Sequence, residues 1–132
     1  MAFEGVPLMG MIKRKMEWLG ARQQVLARNV AHADTPGYRA QDLKRPDFQR
    51  LMAGESEALP MRRSAADHMA SAPSAGRFAP ERVGAWETVP DGNSVTVEEQ
   101  MLKVTETVGE YRLATNIYSK SVNLLRTAIG GR

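Results

Sequence analysis

Apolar side chains recur near the start of the chain at alternating spacings of three and four: Met9, Ile12, Met16, Leu19, Leu26, Val30 and Ala33, with Gln23 the polar member of the series. That spacing is a heptad seam and predicts an amphipathic helix. Leu8, Met11, Trp18 and Val25 widen the apolar stripe beyond what one partner helix covers. The C-terminal segment repeats the pattern over a greater length through Val97, Met101, Val104, Val108, Tyr111, Tyr118, Val122, Leu125 and Ile129, with Thr115 as its polar break. At 1.5 Å per residue the two helices would reach roughly 40 Å and 50 Å, which suits an elongated coiled coil better than a compact domain.

Between them the punctuation is sharp. Pro36 removes a backbone donor and biases Thr35 out of the helical region, so the first helix should end near Asp34. Pro36 and Gly37 fit the central positions of a type II turn, with Gly37 supplying the positive φ and Tyr38 following as an amphipathic anchor. The stretch from Ser64 to Pro80 is rich in small residues and proline, lacks helical or strand periodicity, and is expected to be flexible in the monomer. Asp91, Gly92, Asn93 and Ser94 form a start signal in which Asn93 or Ser94 caps the second helix, spanning 95 to 129, and Glu98 and Glu99 favour its positive end. Gly109 inside that helix marks a bend or a close helix contact.

Composition narrows the function classes. Of 132 residues, 42% are apolar but only 6% aromatic, and the burying capacity lies at the two ends. One domain, or one pair of long helices with a connector, is what this length supports. The absence of cysteine removes disulfides, thiolate zinc sites and thiol nucleophiles. Met1 to Gly10 hold no charged leader with a long apolar run and cleavage site, and no apolar stretch reaches membrane-spanning length, so a soluble chain without membrane insertion is expected. The net charge of +3 is spread along the chain, with Lys13, Arg14 and Lys15 the only run of three, which argues against a nucleic-acid partner.

Catalytic and ligand-binding chemistry finds no scaffold. His32 and His68 lack further ligands at metal-binding spacing, so no metal is expected. Ser64, Asp67 and His68 contain the residue types of a hydrolytic triad, but in a segment with no rigid element to hold them. Gly130 and Gly131 follow a helix instead of preceding one, so no phosphate loop and no nucleotide cofactor is expected. Gln23 and Thr115 either set the register between the helices or face solvent.

The run Asn29, Val30, Ala31, His32, Ala33, Asp34, Thr35, Pro36, Gly37, Tyr38, placed at the end of an N-terminal heptad helix, resembles the signature of flagellar rod and hook proteins, Asn-x-Ala-Asn-x-x-Thr-Pro-Gly-Tyr. The short chain, Arg39, Ala40 and Asp42 after the turn, then Phe48 and Leu51, and Asp91-Gly92-Asn93 before the last helix make the proximal rod members of the flagellar basal body rod family the nearest resemblance. The segment Ser64 to Met69 resembles a His-containing segment found there. Departures are His32 where the signature has Asn, Thr96 where an Asp is common, and Gln100 where a Glu often precedes Met101.

The resemblance implies a structural subunit that catalyses nothing. It implies export through the flagellar type III apparatus without signal cleavage, passing its export gate, and assembly into the rod in the periplasmic space near the inner-membrane ring. Implied partners are other rod subunits, further copies of itself and the adaptor joining rod to membrane ring. A cytoplasmic coiled-coil adaptor or secretion chaperone is the rival reading; it shares the heptads but has no reason to carry the signature turn.

The expected fold is mainly α: an elongated antiparallel coiled coil of N- and C-terminal helices with an irregular, partly disordered connector. Residues 1–37 hold the first helix and turn, 38–94 the connector, and 95–132 the second helix, the two helical parts forming one domain. The helix-packing seams run through Ile12, Met16, Leu19, Leu26 and Val30, and through Met101, Val104, Val108, Tyr111, Tyr118, Val122 and Leu125. Asn29, Ala31, Thr35, Pro36, Gly37 and Tyr38 form the signature and candidate assembly residues. For Asn29 two readings stand, a polar contact between subunits or a bond to local backbone in the last turns; for the turn, a lateral contact surface or a plain helix stop.

Overall fold

The computed structural model describes residues 7–47 and 78–130. Helix α1 spans Pro7–Ala31 and α2 spans Val97–Ala128, 25 and 32 residues, or about 37 Å and 48 Å at 1.5 Å per residue. They pack antiparallel: Asn29 meets Gln100, Arg22 meets Glu106, and Lys15 meets Glu110, so the sequence number rises on one helix as it falls on the other. The mainly α helical hairpin expected from the two heptad segments is what forms. None of the described helices is long and apolar enough to cross a membrane.

Each helix ends for local reasons. Pro7 opens α1, where a missing N–H costs nothing, and Arg28 in its last turn faces the negative helix end. The regular helix stops at Ala31, three residues before the expected Asp34. Beyond it the chain tightens, with Ala33 N–H donating to the Val30 carbonyl and Thr35 N–H to that of His32. Tyr38 N–H then closes on the Thr35 carbonyl, and Gly37 at φ +74° takes the left-handed position, as the type II turn requires. Helix α2 has Glu98 and Glu99 in its first turn and Arg126 in its last, and Gly130 at φ +83° ends it.

The expected cap of α2 is corrected. Thr96 occupies that position and makes no side-chain cap bond. Asn93 and Ser94 are instead buried and bond the end of α1 and the segment after the turn, while Asn93 Oδ1 accepts locally from the Val95 N–H at 2.8 Å. Asn93 Nδ2 donates to the carbonyls of His32 and Thr35 at 2.9 and 2.7 Å, so it caps the end of α1 from 58 or more residues away in sequence. Ser94 Oγ accepts from the Ala40 N–H at 3.0 Å.

The connector is not irregular at its described ends. Strand β1 (Gln41–Leu43) pairs antiparallel with β2 (Pro80–Arg82) in the register Gln41↔Arg82, Asp42↔Glu81, Leu43↔Pro80. This small sheet lies on α1, where Trp18, Leu19, Val25 and Leu43 form the buried cluster, with Ala21 and Phe78 packed against it. Trp18 Nε1 donates to the Lys44 carbonyl at 3.0 Å, which satisfies the one polar atom of the largest buried side chain. Residues 64–77 of the small-residue stretch Ser64 to Pro80, with the grouping Ser64, Asp67 and His68, and also Phe48 and Leu51, lie outside the described residues, while Pro80 at its end opens β2.

Two glycines give opposite predictions. Gly109 lies in an unbroken, exposed part of α2, and a Cβ there meets nothing within 4 Å. It marks no close contact with another described residue, one of the two roles the sequence suggested. Gly109→Ala should therefore stabilise the isolated chain by about 1 kcal/mol, read as a higher urea midpoint in circular dichroism. Gly92 sits at φ +84°, and a Cβ on it would lie 3.4 Å from Gly37 Cα, itself a left-handed glycine. Gly92→Ala should lower stability by about 1–2 kcal/mol in the same measurement.

Candidate assembly surface

Two of the signature residues, Asn29 and Tyr38, meet at one buried amide. Asn29 sits on the flank of α1 facing the turn and has 0% exposure. Its Nδ2 donates to the Gln41 carbonyl at 2.7 Å and to Gln100 Oε1 at 2.9 Å, while its Oδ1 accepts from the Gln41 N–H at 3.1 Å and the Tyr38 hydroxyl at 3.3 Å. Two donors and two acceptor sites are thus all used, as a buried primary amide requires. Asn29 pairs with both backbone groups of Gln41 as a neighbouring strand would, and holds α1, the turn, β1 and α2 at one point. Both readings of Asn29 from sequence miss this, since its partners lie 9 to 71 residues away within the same chain.

The rest of the signature shapes this hub. Tyr38 is half-buried and its ring stacks on His32 with centroids 4.5 Å apart. His32 Nδ1 lies 3.1 Å from Thr35 Oγ1, so the residue that departs from the signature still has local partners. Gly37 N–H donates to the Asp91 carbonyl and Ser94 N–H to the Tyr38 carbonyl, so the Asp-Gly-Asn segment docks directly on the turn. Ala31, Thr35 and Pro36 are exposed at this end of the hairpin.

Two helical turns back along α1, charged groups tie the helices to the post-turn segment. Arg22 donates Nε to Asp42 Oδ1 at 3.0 Å and Nη2 to Oδ2 at 3.1 Å, a bidentate pair with both residues buried. The guanidinium also lies 5.5 Å from the Trp18 ring centre. Lys103 reaches Glu99 at 3.0 Å and Asp42 at 3.9 Å, while the exposed Arg45 meets Glu106 and Glu110, each at 2.8 Å. The post-turn segment is thereby tied to both helices.

The apolar seams separate into two kinds. On α1, Ile12, Leu19 and Leu26 are buried, Met16 is half-buried and Val30 is exposed. On α2, the buried residues are Glu99, Gln100, Thr107 and Ala114. Gln100, Thr107 and Ala114 keep the heptad spacing, but the apolar seam through Met101 and Val108, with Thr115 as its polar break, lies one residue, about 100°, further round the helix. Met101 is 53% exposed, Val108 and Tyr111 are also exposed, and Val104, Tyr118, Val122 and Leu125 are half-buried.

Small and polar groups make this contact possible. Ala114 permits close approach, Gln100 meets Asn29, and Thr107 Oγ1 donates to its own Lys103 carbonyl at 2.7 Å. Hydropathy periodicity has no signal for such a face. The apolar stripe of α2 consequently borders an open groove of about 500 Å³, lined by Leu19, Gly20, Gln23, Ala27, Thr107, Val108 and Tyr111, with the exposed Gln24 and Arg112 beside them. Gln23, a polar residue of the first seam, faces this groove, and its buried Oε1 has no hydrogen-bond partner among the described residues. Thr115 turns its hydroxyl onto the Tyr111 carbonyl.

No protein-family model matches the chain. It is 29% identical over 122 residues to the flagellar basal body rod protein FlgB of Agrobacterium fabrum, across 88% of this chain and 87% of that protein. It is 26% identical over 110 residues to the flagellar basal body rod protein FlgB of Bacillus subtilis, across 83% of each. The rod-family resemblance carried by the signature turn is thus matched by relatives that align with most of the chain.

Proposed function

We propose that the chain is a structural subunit of the proximal rod of the bacterial flagellar basal body and works by polymerising through its two terminal helices. The observation that carries this reading is the stripe of Met101, Val108 and Tyr111, exposed on a long helix whose intramolecular contact is made by other residues. A lone hairpin leaves that stripe in water; neighbouring helices would cover it. Its similarity to two rod proteins gives the stripe its setting.

Under this reading the chain passes the flagellar type III export gate without a cleaved signal. It then assembles in the periplasmic space near the inner-membrane ring, against other rod subunits, copies of itself and the adaptor that joins rod to ring. It has no catalytic role, and the hub at Asn29 holds each subunit in one shape. The isolated hairpin is marginally stable, and assembly completes its burial.

Mass spectrometry of purified hook and basal-body particles that retain the membrane ring and rod tests this. The chain is expected at a few copies beside other rod proteins. Its absence there, with the chain confined to the cytoplasm, would overturn the rod assignment in favour of a coiled-coil adaptor or secretion chaperone.

A further inference from the structure

Two surface features on opposite sides of the hairpin have no partner among the described residues. The first is Trp86, 67% exposed in the segment that leads into α2. Its backbone N–H lies 3.4 Å from Glu99 Oε2, and Glu99 pairs with Lys103, which faces Asp42, so this tryptophan belongs to the flank that carries the sheet. The second is the groove bordered by Leu19, Gly20, Gln23, Val108 and Tyr111, on the flank turned away from the sheet.

We propose that the groove receives the Trp86 side chain of a second copy of this chain. Four observations fit that occupant. The groove, at about 500 Å³, has room for an indole with adjoining backbone, and Leu19, Ala27, Val108 and Tyr111 give it apolar walls beside the polar Gln23, Gln24, Thr107 and Arg112. The buried Gln23 Oε1 is an acceptor in want of a donor, and an indole supplies one N–H and no acceptor. Glu87, next to Trp86, is an exposed anion, and Arg112 on the rim of the groove is an exposed cation. Tryptophan and arginine are also the side chains that most often dominate the energy of a protein contact.

The symmetry follows from the placement. Knob and groove occupy opposite flanks, so two copies cannot satisfy both at once about a two-fold axis. Each contact is heterologous and leaves one knob and one groove free, which propagates to a ring or a helical filament instead of closing a two-fold dimer. This rests on the reading of the chain as a self-assembling subunit and names the residues that make one of its contacts.

Because the chain has no cysteine, the contact can be tested by directed cross-linking of the full-length protein. Thr88→Cys places a thiol beside the knob without altering Trp86 or Glu87, and Gln24→Cys places one on the groove rim. A mixture of the two, at rising concentration under mild oxidation, should give the mixed disulfide in preference to either homotypic one. Adding Trp86→Ala to the Thr88→Cys chain should weaken the association roughly thirtyfold. Reversing the rim charge with Arg112→Glu should weaken cross-linking, and Glu87→Arg in the other chain should restore it.

Homotypic disulfides in excess, or a mixed disulfide indifferent to Trp86→Ala, would overturn the contact. So would the absence of cross-linking at concentrations where light scattering shows the chain associated. None of those results bears on the presence of the chain in basal-body particles, which is the separate measurement on which its function stands.

Discussion

Asn29→Ala is expected to lower the stability of the hairpin by about 3–5 kcal/mol, enough to leave the isolated chain largely unfolded in water. The loss exceeds that of an ordinary polar truncation because four groups lose their partner together. The Gln41 N–H and carbonyl, Gln100 Oε1 and the Tyr38 hydroxyl all depend on the one amide. Gln100 is itself fully buried, so a freed Oε1 has no solvent to replace the lost donor. Asn29→Asp should be as damaging despite its shape, since a carboxylate would face the Gln41 carbonyl and Gln100 Oε1 with no donor between them. Tyr38→Phe should cost about 1 kcal/mol or less, because that bond is 3.3 Å long and the side chain is half-buried. Urea unfolding followed by circular dichroism separates these. An Asn29→Ala chain within about 0.5 kcal/mol of the parent would show that the hub does not hold the monomer, and would return Asn29 to a role between subunits.

The two helices were legible because a heptad repeat is a long signal, renewed every three or four residues, and Thr35-Pro36-Gly37 is a strong stop. The turn was legible for a similarly local reason: Gly37 is where a positive φ is needed. What lay beyond reading was every contact carried by polar residues over long separations. Asn93 looked like the cap of the helix that follows it, and nothing local reveals that its amide instead serves the end of the preceding helix. Strand β1 reads Gln-Asp-Leu and β2 reads Pro-Glu-Arg, three residues each, too short for alternation to register.

The seam of α2 shows the limit of hydropathy most clearly. Apolar periodicity located a continuous stripe through Met101, Val108 and Tyr111 but did not say which partner it meets. The intramolecular contact uses Gln100, Thr107 and Ala114, one residue earlier at each step. Under the proposed reading, a helix that packs within its own chain through small and polar groups, and carries its apolar groups on the next face, divides its surface between folding and association. That division is why a monomer structure shows the stripe exposed and why the sequence alone ran the two faces together.

The same division predicts how charge contributes. Arg22→Ala should destabilise the chain by about 3–5 kcal/mol, because it leaves the buried Asp42 carboxylate with the Leu43 N–H at 2.8 Å and Lys103 at 3.9 Å in place of a bidentate guanidinium. Arg22→Lys keeps the charge but loses the fork and its planar face over Trp18, and should cost about half as much. Replacing both partners, Arg22→Met with Asp42→Leu, should recover most of the loss, since no charge is then buried alone. Arg45 gives the contrast: its partners Glu106 and Glu110 are as close, but the guanidinium is 59% exposed. Arg45→Ala should therefore cost under about 1 kcal/mol, and the effect should fade in 1 M salt while that of Arg22→Ala persists. Urea midpoints of the four variants at low and high salt decide it. If the double replacement were as unstable as Arg22→Ala, the pair would be needed to orient β1 on α1 and not merely to neutralise its own burial, and Asp42 would join Asn29 as a residue that fixes the shape of the subunit.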